Sequence, residues 1–260
     1  MNTNSITDFY EAKMIPVPEG RSAVCACFHP AKDALAVGLV WDDSADASGD
    51  ALEKSEIVVF NASAEILFRK VLKGSDRIRS ICYTGSGQII AAGMEHSVHL
   101  LTEEQEVWFE ESEKDQKNEE GYYPVTLYPG DDENTVRVGL FSRIWNWKTG
   151  ELKVIGSGAG KETGEDPLSF VSPDSQLKVE TASDTIRLVN NSDGALIREC
   201  RISDSDPVCT AFSPDGRRLC VVCKQGIYLF AIQYGEQSEQ KKQEKQKSQG
   251  FFSRLFGKKN

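Results

Sequence analysis

Short apolar or alternating runs, each about four to eight residues long, recur along this chain between polar turns, the pattern of β-strands. The segments CFHPAKDALAVG (27–38) and CYTGSGQIIAAG (82–93) align without gaps. Three more follow the same plan: LYPGDDENTVRVG (127–139), FVSPDSQLKVET (170–181) and AFSPDGRRLCVV (211–222). Each has an apolar strand end, a turn built on Pro, Gly or Asp, and a second apolar strand. Pro presets φ for such a turn, and Asp and Gly satisfy or tolerate its other positions. Each segment therefore predicts a β-hairpin.

A third strand follows every hairpin, at 57–60, 98–101, 144–147, 186–189 and 227–230, and a fourth follows four of them, at 65–68, 106–109, 151–155 and 195–200. Four short strands repeated at a spacing of roughly 42–55 residues are the signature of a propeller blade. An acidic insertion, 42–56, lengthens the first spacing.

SPDG (213–216), SPDS (172–175) and IWNWKTGE (144–151) resemble the turns and strand ends of the WD-repeat β-propeller family, a likeness running over about residues 20–235. The Trp-Asp dipeptide of that family ends none of the third strands here. The resemblance implies an all-β propeller, and the five repeats make it one of about five four-stranded blades, where seven is usual for that family. The last repeat has no fourth strand of its own, and ITDFYEAKMI (6–15) lies where one would precede the first hairpin. An N-terminal strand pairing with the last blade would close the ring and hide two open sheet edges. The rival arrangement is an open ring completed by a partner.

Charge divides the chain. It carries 30 Lys+Arg and 40 Asp+Glu, a net of −10. Residues 236–260 hold seven Lys/Arg and three Glu, which leaves −14 on residues 1–235. An acidic body repels phosphate backbones, so nucleic acid is not an expected partner. No apolar run approaches the roughly 20 residues of a membrane-spanning helix, and the first residues lack a secretory pattern. A cytoplasmic location is expected. The three expected regions are the propeller (1–235), a polar charged tether (236–249) and a basic amphipathic C-terminal motif (250–260).

Chemistry-bearing residues are few. Seven cysteines (Cys25, Cys27, Cys82, Cys200, Cys209, Cys220 and Cys223) sit mostly within apolar strands, where Cys packs as a small hydrophobe. Cys220 and Cys223 are three apart on one strand and so face opposite ways, as do His96 and His99. No metal site, cofactor or catalytic residue is expected from them. GSGAGKETG (156–164) departs from the phosphate-loop pattern at Glu162. The acidic stretches 42–56 and 103–120 read as solvated loops. At the second position of the third strands stand Val58, His99, Trp145, Arg187 and Tyr228, a mixture that predicts partial exposure. Trp145 and Tyr228 are the candidate interface anchors.

The tether 236–249 has no apolar residue, whereas GFFSRLFGKKN (250–260) is apolar and basic. On a helical wheel Phe251, Phe252, Leu255 and Phe256 fall within about 140° of one another, with Arg254, Lys258 and Lys259 at or beyond the edges. An apolar cluster on a leash serves to bind something: a protein groove or an anionic membrane surface. The expected function is a non-enzymatic interaction scaffold or adaptor carrying this tethered motif. A structural subunit with an incomplete ring and a hydrolase with an acidic central channel are the alternatives. The hydrolase would need two carboxylates placed across a pocket, and no such pair is evident.

Overall fold

The computed structural model describes residues 6–42, 53–73, 77–85, 87, 90–93, 97–102, 106–110, 127–129, 135–138, 143–146, 151–154, 171–203 and 207–235. Within them the protein is all-β and forms a series of antiparallel sheets. The first sheet is β2 (Ser22–Phe28), β3 (Ala34–Asp42), β4 (Glu53–Asn61) and β5 (Ile66–Val71), side by side in that order. The second contains β6 (Ser80–Tyr83), β7 (Ile90–Gly93), β8 (Ser97–Leu101) and β9 (Glu106–Glu110), and the third β10 (Leu127–Pro129), β11 (Thr135–Val138), β12 (Arg143–Asn146) and β13 (Glu151–Val154). These are the hairpins and following strands that the repeat predicts.

The fourth sheet holds three strands, β14 (Leu177–Ala182), β15 (Thr185–Asn190) and β16 (Leu196–Arg201). The strand expected to open this repeat is reduced, among the described residues, to a single bridge between Val171 and Lys178. The last sheet combines β17 (Pro207–Phe212), β18 (Arg218–Cys223) and β19 (Gly226–Tyr234) with β1 (Ile6–Pro16), which is its outer strand. β1 runs antiparallel to β19 from Ile6 opposite Tyr234 to Pro16 opposite Gly226, with irregularities at Ile6/Asp8 and Glu11/Lys13. Phe9 stacks on Phe230, ring centroids 5.0 Å apart. The Arg198 guanidinium of β16 donates to the Ile6 carbonyl at 3.1 Å, so β1 is tied to the preceding sheet as well.

Consecutive sheets bury apolar faces against each other. Between the first and second lie Cys25, Val40, Ile57, Val59, Ile78, Ile81 and Leu101. Between the last and first lie Ala23, Phe28, Val37, Val58, Phe60, Cys220, Val222 and Ile227. Between the fourth and last lie Leu177, Ile186, Leu188, Val221, Tyr228 and Phe230. A sheet covered on both faces needs apolar residues at successive positions, and that is why β3 and β18 read as continuous hydrophobic runs. Each large side chain buried this way contributes about 1.5–3 kcal/mol.

The acidic insertion is shorter than the sequence predicts. Asp42 ends β3, and Glu53–Glu56 open β4, paired with Asp42, Trp41, Val40 and Leu39. Polar groups at this end are satisfied by residues distant in sequence: Ser55 Oγ accepts the Ile78 N–H at 2.8 Å, and Glu56 binds two arginines.

Candidate functional site

One end of the sheets is a set of interlocked turns. Ser213 and Ser172 each stand before a Pro-Asp pair, and each caps its own turn twice. Ser213 Oγ accepts the Arg218 N–H at 2.9 Å and donates to Asp215 at 2.6 Å; Ser172 Oγ accepts the Leu177 N–H at 2.9 Å and donates to Asp174 at 2.7 Å. Gly216 and Ser175 complete the turns at positive φ. Burial works against ionisation of Asp215, but its hydrogen bonds from Ser213 and the Arg217 backbone, with Arg218 and Arg217 nearby, hold its pKa below the usual value. His29 occupies the equivalent place in the first sheet. Its Nδ1 accepts the backbone N–H groups of Ala31 and Lys32 at 2.9 and 2.8 Å.

Neighbouring turns are fastened across the sheets. Arg218 pairs with Asp33 and lies over the Phe28 ring, 5.0 Å from its centroid, joining the last sheet to the first. The His29 ring sits 4.8 Å from Tyr83 and hydrogen-bonds the Gly87 backbone, joining first to second. Burial, aided by the Lys32 charge, lowers the His29 pKa against the opposing effect of that bond. Tyr234 donates to the Gly216 carbonyl at 3.0 Å, and burial together with the nearby Asp174 carboxylate raises its pKa to about 12.

At the other end of β2 the first sheet carries a charged cluster. Glu56, 1% exposed, accepts from Arg21 and from Arg69 Nε, the latter at 2.7 Å. The Arg21 guanidinium also lies 4.2 Å from the centre of the Trp41 ring. Its pKa is lowered by burial and by Arg69. A carboxylate clasped by two guanidiniums leaves one net positive charge beside a half-buried indole, the residue types that concentrate interface energy.

The cysteines are all free thiols. Cys25 and Cys27 pack against the same cluster, whereas Cys220 faces the first sheet and Cys223 the fourth, the split that strand geometry predicts. Burial, with neighbouring thiols adding to it, pushes Cys25, Cys27 and Cys220 well up, and burial alone takes Cys82 to about 12. Thiols of this kind remain protonated at neutral pH and are poor nucleophiles and metal ligands. Among the described residues no cluster of three or more potential metal ligands occurs, and no helix is long and apolar enough to cross a membrane.

The expected anchors fare unequally. Tyr228 is 2% exposed and its hydroxyl lies 3.0 Å from Ser203 Oγ, so it is a core residue and not a surface anchor. The second positions Val58 and His99 are buried too, and Arg187 alone of the described four is exposed. For Tyr228 and Val58 the cause is two-sided packing: the last and first sheets each have a neighbour on both sides, so neither face of β19 or β4 is a solvent face there. The Trp145 side chain, His96, the loop 156–164, the tether 236–249 and the motif residues Phe251, Phe252, Arg254, Leu255, Phe256, Lys258 and Lys259 lie outside the described residues. Sequence reading missed the Arg21–Glu56–Arg69 cluster, whose members come from three separate segments and have no shared spacing to signal them.

No protein-family model and no curated protein matches the chain. Among solved structures it is similar to the β-propeller domain of Cps50 (Swd1) from Myceliophteria thermophila, at 11% identity and a TM-score of 0.46, over 87% of this chain and 100% of that one.

Proposed function

We propose that the chain is a non-enzymatic interaction scaffold: a five-bladed propeller closed by its own N-terminal strand, with a C-terminal motif that docks on a partner. The observation that carries this reading is the fastening of the last sheet to the first and of the first to the second by their turns, with β1 laid along β19. A body so held is a rigid platform, and burial keeps Cys25, Cys27, Cys82 and Cys220 protonated. The chain leaves that platform after Tyr234 into the polar tether, and the apolar cluster Phe251, Phe252, Leu255 and Phe256 follows with Arg254, Lys258 and Lys259. At coil dimensions 14 residues have a root-mean-square reach of about 20 Å, which would keep a weak motif at high local concentration near any partner already on the platform. Trp145 belongs to this reading as an interface anchor. So does a cytoplasmic setting in which the basic motif touches an anionic membrane surface.

Phe252→Glu with Phe256→Glu tests the docking role. The double variant is expected to lose co-purifying partners, or flotation with phosphatidylserine vesicles, while its melting temperature matches the parent. An unchanged interaction profile in both assays would sink the tail hypothesis, and a lowered melting temperature would reassign the motif to the folded body.

A further inference from the structure

β5 is the outer strand of the first sheet, and among the described residues nothing pairs with its outer edge. The Leu72 N–H donates to the Ser55 carbonyl at 2.8 Å. Because backbone groups alternate along an antiparallel strand, those of Val71 and Arg69 point away from β4 and meet no strand among the described residues. This six-residue strand also carries three of the seven large apolar side chains that stand exposed among the described residues: Ile66 at 54%, Leu67 at 59% and Val71 at 48%. Free edges are normally blunted by charge, Pro or brevity, since an apolar open edge invites another strand.

The charge on β5 says which strand. Arg69 and Lys70 lie within it and Lys73 follows, on a chain whose net charge is −10. The Arg69 side chain is 54% exposed, yet its Nε is fixed by the buried Glu56 carboxylate, so its stem is already ordered. A guanidinium presented this way suits a carboxylate. A second copy of β5 is a poor occupant, because antiparallel self-pairing would set two Arg-Lys pairs beside each other.

We propose that β5 is a docking edge for an extended, acidic and apolar segment of a partner protein. The segment adds as a fifth strand with a carboxylate on each face, one beside Arg69 and one beside Lys70, and aliphatic side chains beside Leu67 and Val71 on the first face and Ile66 on the second. The proposal shares the scaffold reading of the body and is independent of the C-terminal motif.

The probe is a fluorescein-labelled octapeptide of Val-Val-Glu-Glu repeated twice, which shows carboxylates and valines on both faces of an added strand, titrated with the full chain by fluorescence anisotropy beside the matching Lys-Val peptide. Saturable binding of the acidic peptide alone is expected, weakened by about 0.5 M salt, where charges are screened within ~4 Å. Lys70→Glu replaces an attraction at this half-buried position by a repulsion of similar size and is expected to weaken binding about tenfold. Val71→Pro removes an outward N–H and blocks the added strand; Lys70→Glu carries the test should that variant fold poorly. The Phe252→Glu/Phe256→Glu chain is expected to bind the peptide like the parent, which separates failure of the tail from failure of the edge. Absent saturation, equal binding of the Lys-Val peptide, or indifference to Lys70→Glu would overturn the proposal. So would sedimentation of the full chain as a dimer that Val71→Pro dissolves, since the occupant would then be a second copy.

Discussion

Replacing Phe9 by Ala isolates the energetic contribution of the N-terminal strand. Phe9 is 6% exposed, belongs to the cluster between the fourth and last sheets, and stacks on Phe230. Losing the ring forfeits about 1.5–3 kcal/mol of transfer energy and about 0.5–1.5 kcal/mol of aromatic pairing. The hole adds to this only in part, because β1 is an outer strand and can settle inward. A net cost of about 3 kcal/mol is therefore expected, at the low end for Phe→Ala substitutions. In a domain of this size that corresponds to a fall in melting temperature of about 6–12 °C. The control is Tyr10→Ala, the next residue along, which is 39% exposed and whose hydroxyl accepts from Gln233 Nε2. It should cost under about 1 kcal/mol. Paired denaturation curves by circular dichroism, monitored through the near-ultraviolet aromatic signal, measure both. If the two substitutions cost the same, or if a chain beginning at residue 17 melts like the parent, β1 is an appendage and not part of the core.

Two further outcomes follow from the buried polar groups. Glu56→Gln strips the counter-charge from Arg21 and Arg69; both can turn partly to solvent, so urea denaturation should show a loss of about 2–3 kcal/mol, below the usual cost of breaking a fully buried pair. His29 has a folded pKa below its unfolded value of about 6.5, so the unfolded chain binds the extra proton and the stability from neutral His29 is full above that pH and declines as pH falls through it. The charged and polar groups around that ring are Lys32 and Tyr83; a His29→Gln chain should show a shallower loss of melting temperature than the parent between about pH 7 and pH 5.5, and parallel curves would refute the assignment.

The strands were legible because their signals are local. A turn residue such as Pro214 or Gly216 between two apolar runs marks a hairpin without knowledge of anything else, and the repeat supplies several independent readings of the same pattern. The face of each residue was less legible. Tyr228 looked like a surface aromatic because its alternation with Ile227 and Leu229 was read as one buried and one open face. That inference holds for a sheet with solvent on one side and fails for a sheet enclosed by two neighbours. The end of β4 was misjudged for a related reason: Ser55 and Glu56 are polar, and only their partners Ile78, Arg21 and Arg69, brought in by other strands, make them interior residues. Exposure of Ile66 and Leu67 is the reverse case. Two adjacent aliphatics in a strand read as core, and the order of strands in the sheet is what leaves them outside.

The pairing of β1 with β19 has a consequence for how the chain is made. Thr7 and Gln233, hydrogen-bonded in the folded protein, are 226 positions apart. At about 5–20 residues per second a ribosome needs roughly ten to fifty seconds to supply the second after the first. Throughout that interval Ile6, Phe9 and Ile15 have no sheet to join, and joining it at the end costs about 5 kcal/mol in loop-closure entropy if nothing in between has ordered. The earlier sheets must therefore form first and shorten the effective loop, leaving β1 to be captured last. During synthesis the N-terminal strand is a sticky, waiting edge that has to be shielded from other nascent chains.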